Sequence, residues 1–123
     1  MSDERLPPGW PTAVRPPGAP GWERTAQTWL FDLCPADYRG YPVLSRRPAV
    51  LAWMAAQHVT AAVQGARSAL STVRAQWAGT AEQPGVDDLV DLLETELARL
   101  LSASRAVELV AAALRGEGYV PRI

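Results

Sequence analysis

Apolar residues recur at alternating intervals of four and three along two long segments, 48–78 and 86–115, and nothing else in the chain constrains its fold so tightly. In the first segment the series is Ala52, Ala56, Val59, Val63, Ala66, Leu70, Val73 and Trp77. In the second it is Val86, Val90, Leu93, Leu97, Leu100, Ser104, Val107, Ala111 and Leu114. At 3.6 residues per turn, such spacing gathers the apolar side chains into one stripe on one helix face. A seven-residue repeat that runs unbroken for several turns is the pattern of a coiled coil. Pro48 suits the first position of the earlier helix, and Gly79 supplies its stop. Asp87, Asp88 and Asp91 crowd the start of the later helix and Arg115 its end, both favourable to the helix dipole, and Gly116 follows as a C-terminal cap. Each helix is about 45 Å long at 1.5 Å per residue. The linking residues 79–85 are too few to span that length, so the two helices pair antiparallel.

Charge placement suggests a register for this pair. Segment 48–78 carries Arg67 and Arg74 and no acid, whereas segment 86–115 carries six acids against three arginines. If the stripe occupies positions a and d, then Arg67, Arg74, Asp87 and Glu94 all fall at e. Antiparallel pairing sets e against e, and Arg74–Asp87 and Arg67–Glu94 then belong to a single register. Exposed pairs of this kind are worth only about 0–1 kcal/mol each, so they select an alignment more than they stabilise it.

The chain ahead of the hairpin is of a different kind. Residues 1–21 hold six prolines and three glycines, which exclude both a helix and a central strand and favour polyproline-II or irregular extended structure. Trp10 and Val14 either pin this arm onto its own domain or belong to a docking peptide for an aromatic groove. Trp22, Ala26, Trp29, Leu30 and Leu33 share one face of a short helix over 22–33, which Pro35 ends. Cys34 is the only cysteine, so no internal disulfide forms, and without a neighbouring His or Lys it reads as a structural thiol. Pro35 begins a short helical turn that Gly40 closes. Arg39, Arg46 and Arg47 are interleaved with Tyr38 and Tyr41, the ingredients of phosphate or single-strand recognition. The same arginines also suit helix capping and salt bridging.

A second apolar strip runs beside the inner stripe. It comprises Leu51, Ala55, His58, Ala62, Gly65 and Ala69 on the first helix. On the second it comprises Leu89, Leu92, Ala103, Ala106, Val110 and Ala113, interrupted by Glu96 and Arg99. A lone hairpin cannot bury it. Helix 22–33, tethered closely to Pro48, should cover the end near 50–58 and 107–114, with Trp53 and Met54 packed beneath the arm. The loop end around Ala62, Gly65, Ala69, Leu89 and Leu92 is then bare, which points to a homodimer or a partner helix. The tail residues Tyr119, Val120 and Ile123 are expected to fold back on the base of the bundle.

No other chemistry stands out. His58 is the sole histidine and has no acid at i±3 or i±4, so a helix-borne metal pair is missing and a groove-lining ring with a structural hydrogen bond is expected. The acids from Asp87 to Glu96 lack a Glu-x-x-His element and suit a solvated face. There is no glycine-rich phosphate loop and no Gly-x-Ser-x-Gly, so no catalytic, cofactor or metal residue is assigned. Net charge is −1, all basic residues being arginine, which gives no global attraction to nucleic acid or anionic lipid. No run reaches the roughly 18 apolar residues of a membrane span, and the charged, proline-rich N-terminus is unlike a signal peptide. A soluble, cytoplasmic protein is the expectation.

Two resemblances add to this. Trp77-Ala78-Gly79 at the bend resembles the Trp-x-Gly of small secreted WXG-type hairpin proteins, a likeness of three residues plus architecture. More of the chain is similar to small helical proteins encoded in GC-rich Gram-positive genomes. That likeness lies in Pro-Pro-Gly-Trp-Pro (7–11), Arg-Pro-Pro-Gly-Ala-Pro (15–20), Trp-Glu-Arg-Thr-Ala (22–26), Asp-Leu-Cys-Pro-x-x-Tyr-Arg (32–39), Arg-Arg-Pro (46–48) and Tyr-Val-Pro-Arg (119–122). It implies no activity. The expected fold is all-α: an extended arm over 1–21, then a helical domain over 22–123 with helices near 22–33, 48–78 and 86–115. The arm packs on one end of the long hairpin. The expected function is a non-enzymatic protein–protein interaction module that self-associates. The alternatives are a nucleic-acid accessory factor using segment 38–47 and a WXG-type secreted hairpin.

Overall fold

The structure is a computed structural model that describes residues 6–117, and among these there are helices and turns but no strand. Helix α1 spans Trp22–Asp32, α2 Pro42–Arg46, α3 Pro48–Trp77 and α4 Val86–Leu114, with 3-10 turns at Ala36–Gly40 and Gln83–Gly85. The contacts expected of Tyr119, Val120 and Ile123 lie outside the described residues.

Helices α3 and α4 make the most extensive contact in the molecule. Pro48 opens α3, and the Gly116 and Glu117 amides donate to the carbonyls of Ala113 and Ala112 at 3.0 and 2.9 Å, closing α4 with a Schellman motif. Beside the loop, Arg74 Nη1 donates to Asp87 Oδ1 at 2.8 Å, the first pair of the expected register. The second does not form: among the described residues the ion pairs are Arg39–Asp32, Arg74–Asp87, Arg99–Glu96 and Arg115–Glu117. Arg67 and Glu94 are both exposed, and in water the entropy of fixing two long side chains cancels a weak attraction.

Burial is lopsided along this pair. Near the start of α3 and the end of α4, Leu51, Ala52, Ala55, Val59, Val107, Val110 and Ala111 form a continuous core. Ala26, Leu30 and Phe31 of α1, Leu44 of α2 and Val14 of the arm join it, and Val63, Ala66 and Leu100 carry it to the middle of the two long helices. Helix α1 therefore covers the end expected of it, and Leu51, Ala55, Ala106 and Val110 of the second strip are buried there. Towards the loop, Val73 and Val86 are buried, but Leu70, Val90, Leu93 and Leu97 are only half-buried and Trp77 is 38% exposed.

The arm corrects one expectation. It is not extended but a succession of tight turns, in which the amides of Trp10, Val14, Ala19 and Trp22 donate hydrogen bonds to the carbonyls of Pro7, Pro11, Pro16 and Ala19 at 3.0–3.2 Å. Pro8-Gly9, Pro17-Gly18 and Pro20-Gly21 hold the central positions of three of them. Gly9 and Gly18 have φ of 94° and 89°, as the third residue of a type II turn requires, with proline fixing the second. Trp10 Nε1 donates to the Val14 carbonyl at 2.9 Å and its ring lies 6.5 Å from that of Trp22. The Arg15 amide donates to Thr25 Oγ1 at 3.0 Å and its guanidinium to the Pro20 carbonyl at 2.7 Å. The arm is thus pinned to its own domain. It reaches the far end of the hairpin, where a methyl group added at Gly9 would sit 3.6 Å from Leu109 Cδ1.

Two details depart from expectation. Helix α2 was not foreseen; Pro42 begins it and Leu44 anchors it in the core. Trp53 does not pack under the arm and is 60% exposed. Position 53 lies about 100° from both neighbours on the helix, on the side turned away from buried Leu51, Ala52 and Ala55. Met54 is partly buried against the core.

Candidate interaction surface

On the loop half of the hairpin the second strip has little cover among the described residues. Leu92 is 63% exposed, the most exposed large apolar side chain among the described residues. Leu89, Ala62 and Ala69 are half-buried, and Gly65 is exposed with open space where a side chain would stand. The five candidate residues thus lie along one side of α3 and α4, where four- and three-residue steps place them. The strip ends at the tip in an open recess of about 450 Å³ lined by Trp77, Glu82, Gly85, Val86 and Leu89.

Within this strip α4 carries one polar pair. Arg99 Nε and Nη2 donate to Glu96 Oε1 and Oε2 at 2.7 and 2.8 Å, a two-pronged bond along the helix surface. Hydrogen bonding to Arg99 holds the Glu96 carboxyl below its ordinary range and raises the guanidinium in turn. Both side chains remain in water. Sequence reasoning recognised Glu96 and Arg99 only as an interruption of the strip; their i, i+3 spacing was the signal that they bond to each other.

In the Arg/Tyr segment the three candidate arginines have different surroundings. Arg39 pairs with Asp32 and lies over the Phe31 ring at 5.6 Å, so its guanidinium braces the end of α1. Arg46 closes α2 and Arg47 precedes Pro48, both exposed at a corner of the chain. Tyr38 packs edge-on against His58 at 6.4 Å and against Tyr41 at 6.0 Å. His58 makes this aromatic contact in place of the expected hydrogen bond, since none of its ring nitrogens has a partner among the described residues. Burial pushes the Cys34 thiol up, an effect that the Arg39 charge partly offsets. A thiol so placed is mostly protonated at neutral pH and a poor nucleophile.

Among the described residues no three His, Cys, Asp or Glu side chains are placed to hold a metal, and no helix is long and apolar enough to cross a membrane. The chain matches no protein-family model, no curated protein and no solved structure.

Proposed function

We propose that this protein is a non-enzymatic helical interaction module. Its frame is an antiparallel hairpin with a coiled-coil-like seam, capped at one end by α1 and the arm. Its uncovered half associates with a second copy of the chain to form a helix bundle. The observation that carries this reading is Leu92, 63% exposed in a strip whose other members are small or half-buried. Solvent-exposed apolar strips of this length are uncommon on monomers, and small residues such as Ala62, Gly65 and Ala69 let a helix approach closely. A cytoplasmic setting fits a chain with one half-buried cysteine.

Sedimentation equilibrium at low and high salt tests the proposal, with a fluorescent single-stranded oligonucleotide titrated in parallel. A dimer that persists in high salt, together with no salt-sensitive oligonucleotide binding, is the expected result. A monomer at high micromolar concentration would remove the basis for self-association. Oligonucleotide binding that weakens steeply with salt would instead favour Arg46 and Arg47 as phosphate contacts.

A further inference from the structure

The second strip of α4 carries exposed Leu92 and Arg99 and half-buried Glu96 and Ala103, separated in chain order by steps of four, three and four residues. This spacing reads the same in both directions along the helix. A second α4 laid antiparallel by a two-fold rotation therefore meets it residue for residue. The chemistry is matched as well as the spacing. The outer pair is large against small, and the inner pair is an acid against a base.

We propose that the second copy docks α4 on α4 about a two-fold axis passing between Leu97 and Ala98. Leu92 then rests on the partner's Ala103, and Glu96 faces the partner's Arg99. This rests on the self-association proposed above and specifies its register. Glu96 and Arg99, bonded within one helix in the single chain, are rearranged in the dimer so that each arginine fork is shared across the axis. Other registers lose the match. Sliding by four residues, about one turn, sets either Leu92 against the partner's Arg99 or Glu96 against the partner's Ala103, leaving a charge against an apolar side chain.

Two features of the fold permit this arrangement. Helix α1 makes only a small contact with α4, and along the second strip of α4 full burial is reached only at Ala106 and Val110. With an axis between Leu97 and Ala98, the outward sides of residues 90–105 of the two copies can meet over roughly 24 Å of helix. On the flank, Gly65 leaves open space on α3 into which the approaching helix can lean.

Charge-swap variants test the register by sedimentation velocity. Alone, E96R sets arginine against arginine across the axis and R99E sets glutamate against glutamate, and each should weaken the dimer about tenfold or more. Mixed in equal amounts, the two variants should form a heterodimer with near wild-type affinity. Circular dichroism checks that each variant keeps its helix content. L92D, which leaves both charges in place, should also lose the dimer. Single variants that dimerise like wild type, a mixture that stays weak, or L92D with undiminished affinity would each overturn the register while leaving self-association intact. A monomeric wild type would overturn both.

Discussion

Gly18 and Gly65 show how one residue type acts in opposite directions within the same chain. Gly18 has φ of 89° in a proline-initiated turn, with open space around it. Alanine there meets backbone strain alone, and Gly18→Ala should destabilise by about 1–2 kcal/mol. Gly65 sits inside α3, where glycine is the poorer helix former and a methyl group meets nothing within 4 Å. Gly65→Ala should stabilise by about 1 kcal/mol. Urea denaturation of both variants at one protein concentration checks the opposite signs. These two glycines were not equally legible in the sequence. Gly65 was recognisable as a small residue beside a helix stripe. The turn at Gly18 was read as irregular extension, although the Pro-Pro-Gly order already contained a residue of fixed φ followed by one that tolerates positive φ.

Among elements, legibility followed length. Helices α1, α3 and α4 are long enough to repeat their apolar spacing, and their observed bounds lie within a residue of the expected ones. Helix α2 has five residues, less than two turns, so no period could reveal it. Packing of Leu44 holds it in place, and packing between distant segments is invisible to local pattern. The arm gains its order in the same way, from Trp10, which bonds Val14 and meets Trp22. Trp10→Ala should cost about 3 kcal/mol, the low end of the range for a buried tryptophan because the ring is only half-buried. Thermal melting followed by far-ultraviolet dichroism measures it; a loss under about 0.5 kcal/mol would mean that the arm contributes little to the cap.

For the whole molecule, the uneven core implies uneven stability. The capped end has helix packed on helix with α1, α2 and the arm around it, whereas beyond Ala66 and Leu100 the loop end relies on Val73, Val86 and half-buried neighbours. Amide exchange should be slowest near Val59 and Val107 and faster by orders of magnitude near Trp77 and Leu89, a gradient that mass spectrometry of exchanged peptides resolves. Uniform protection along α3 and α4 in dilute protein would contradict it. The heptad stripe made this pair of helices legible, but not the gradient, because identical spacing continues through both halves. The arm's position has one more consequence, for synthesis. Ribosomes make Trp10 and Val14 before α4, yet the core they join includes Val107 and Val110 of α4, and neighbouring Gly9 lies close to Leu109. Until α4 emerges that core is incomplete, and the nascent chain leaves Trp10 and Val14 more exposed than in the folded protein.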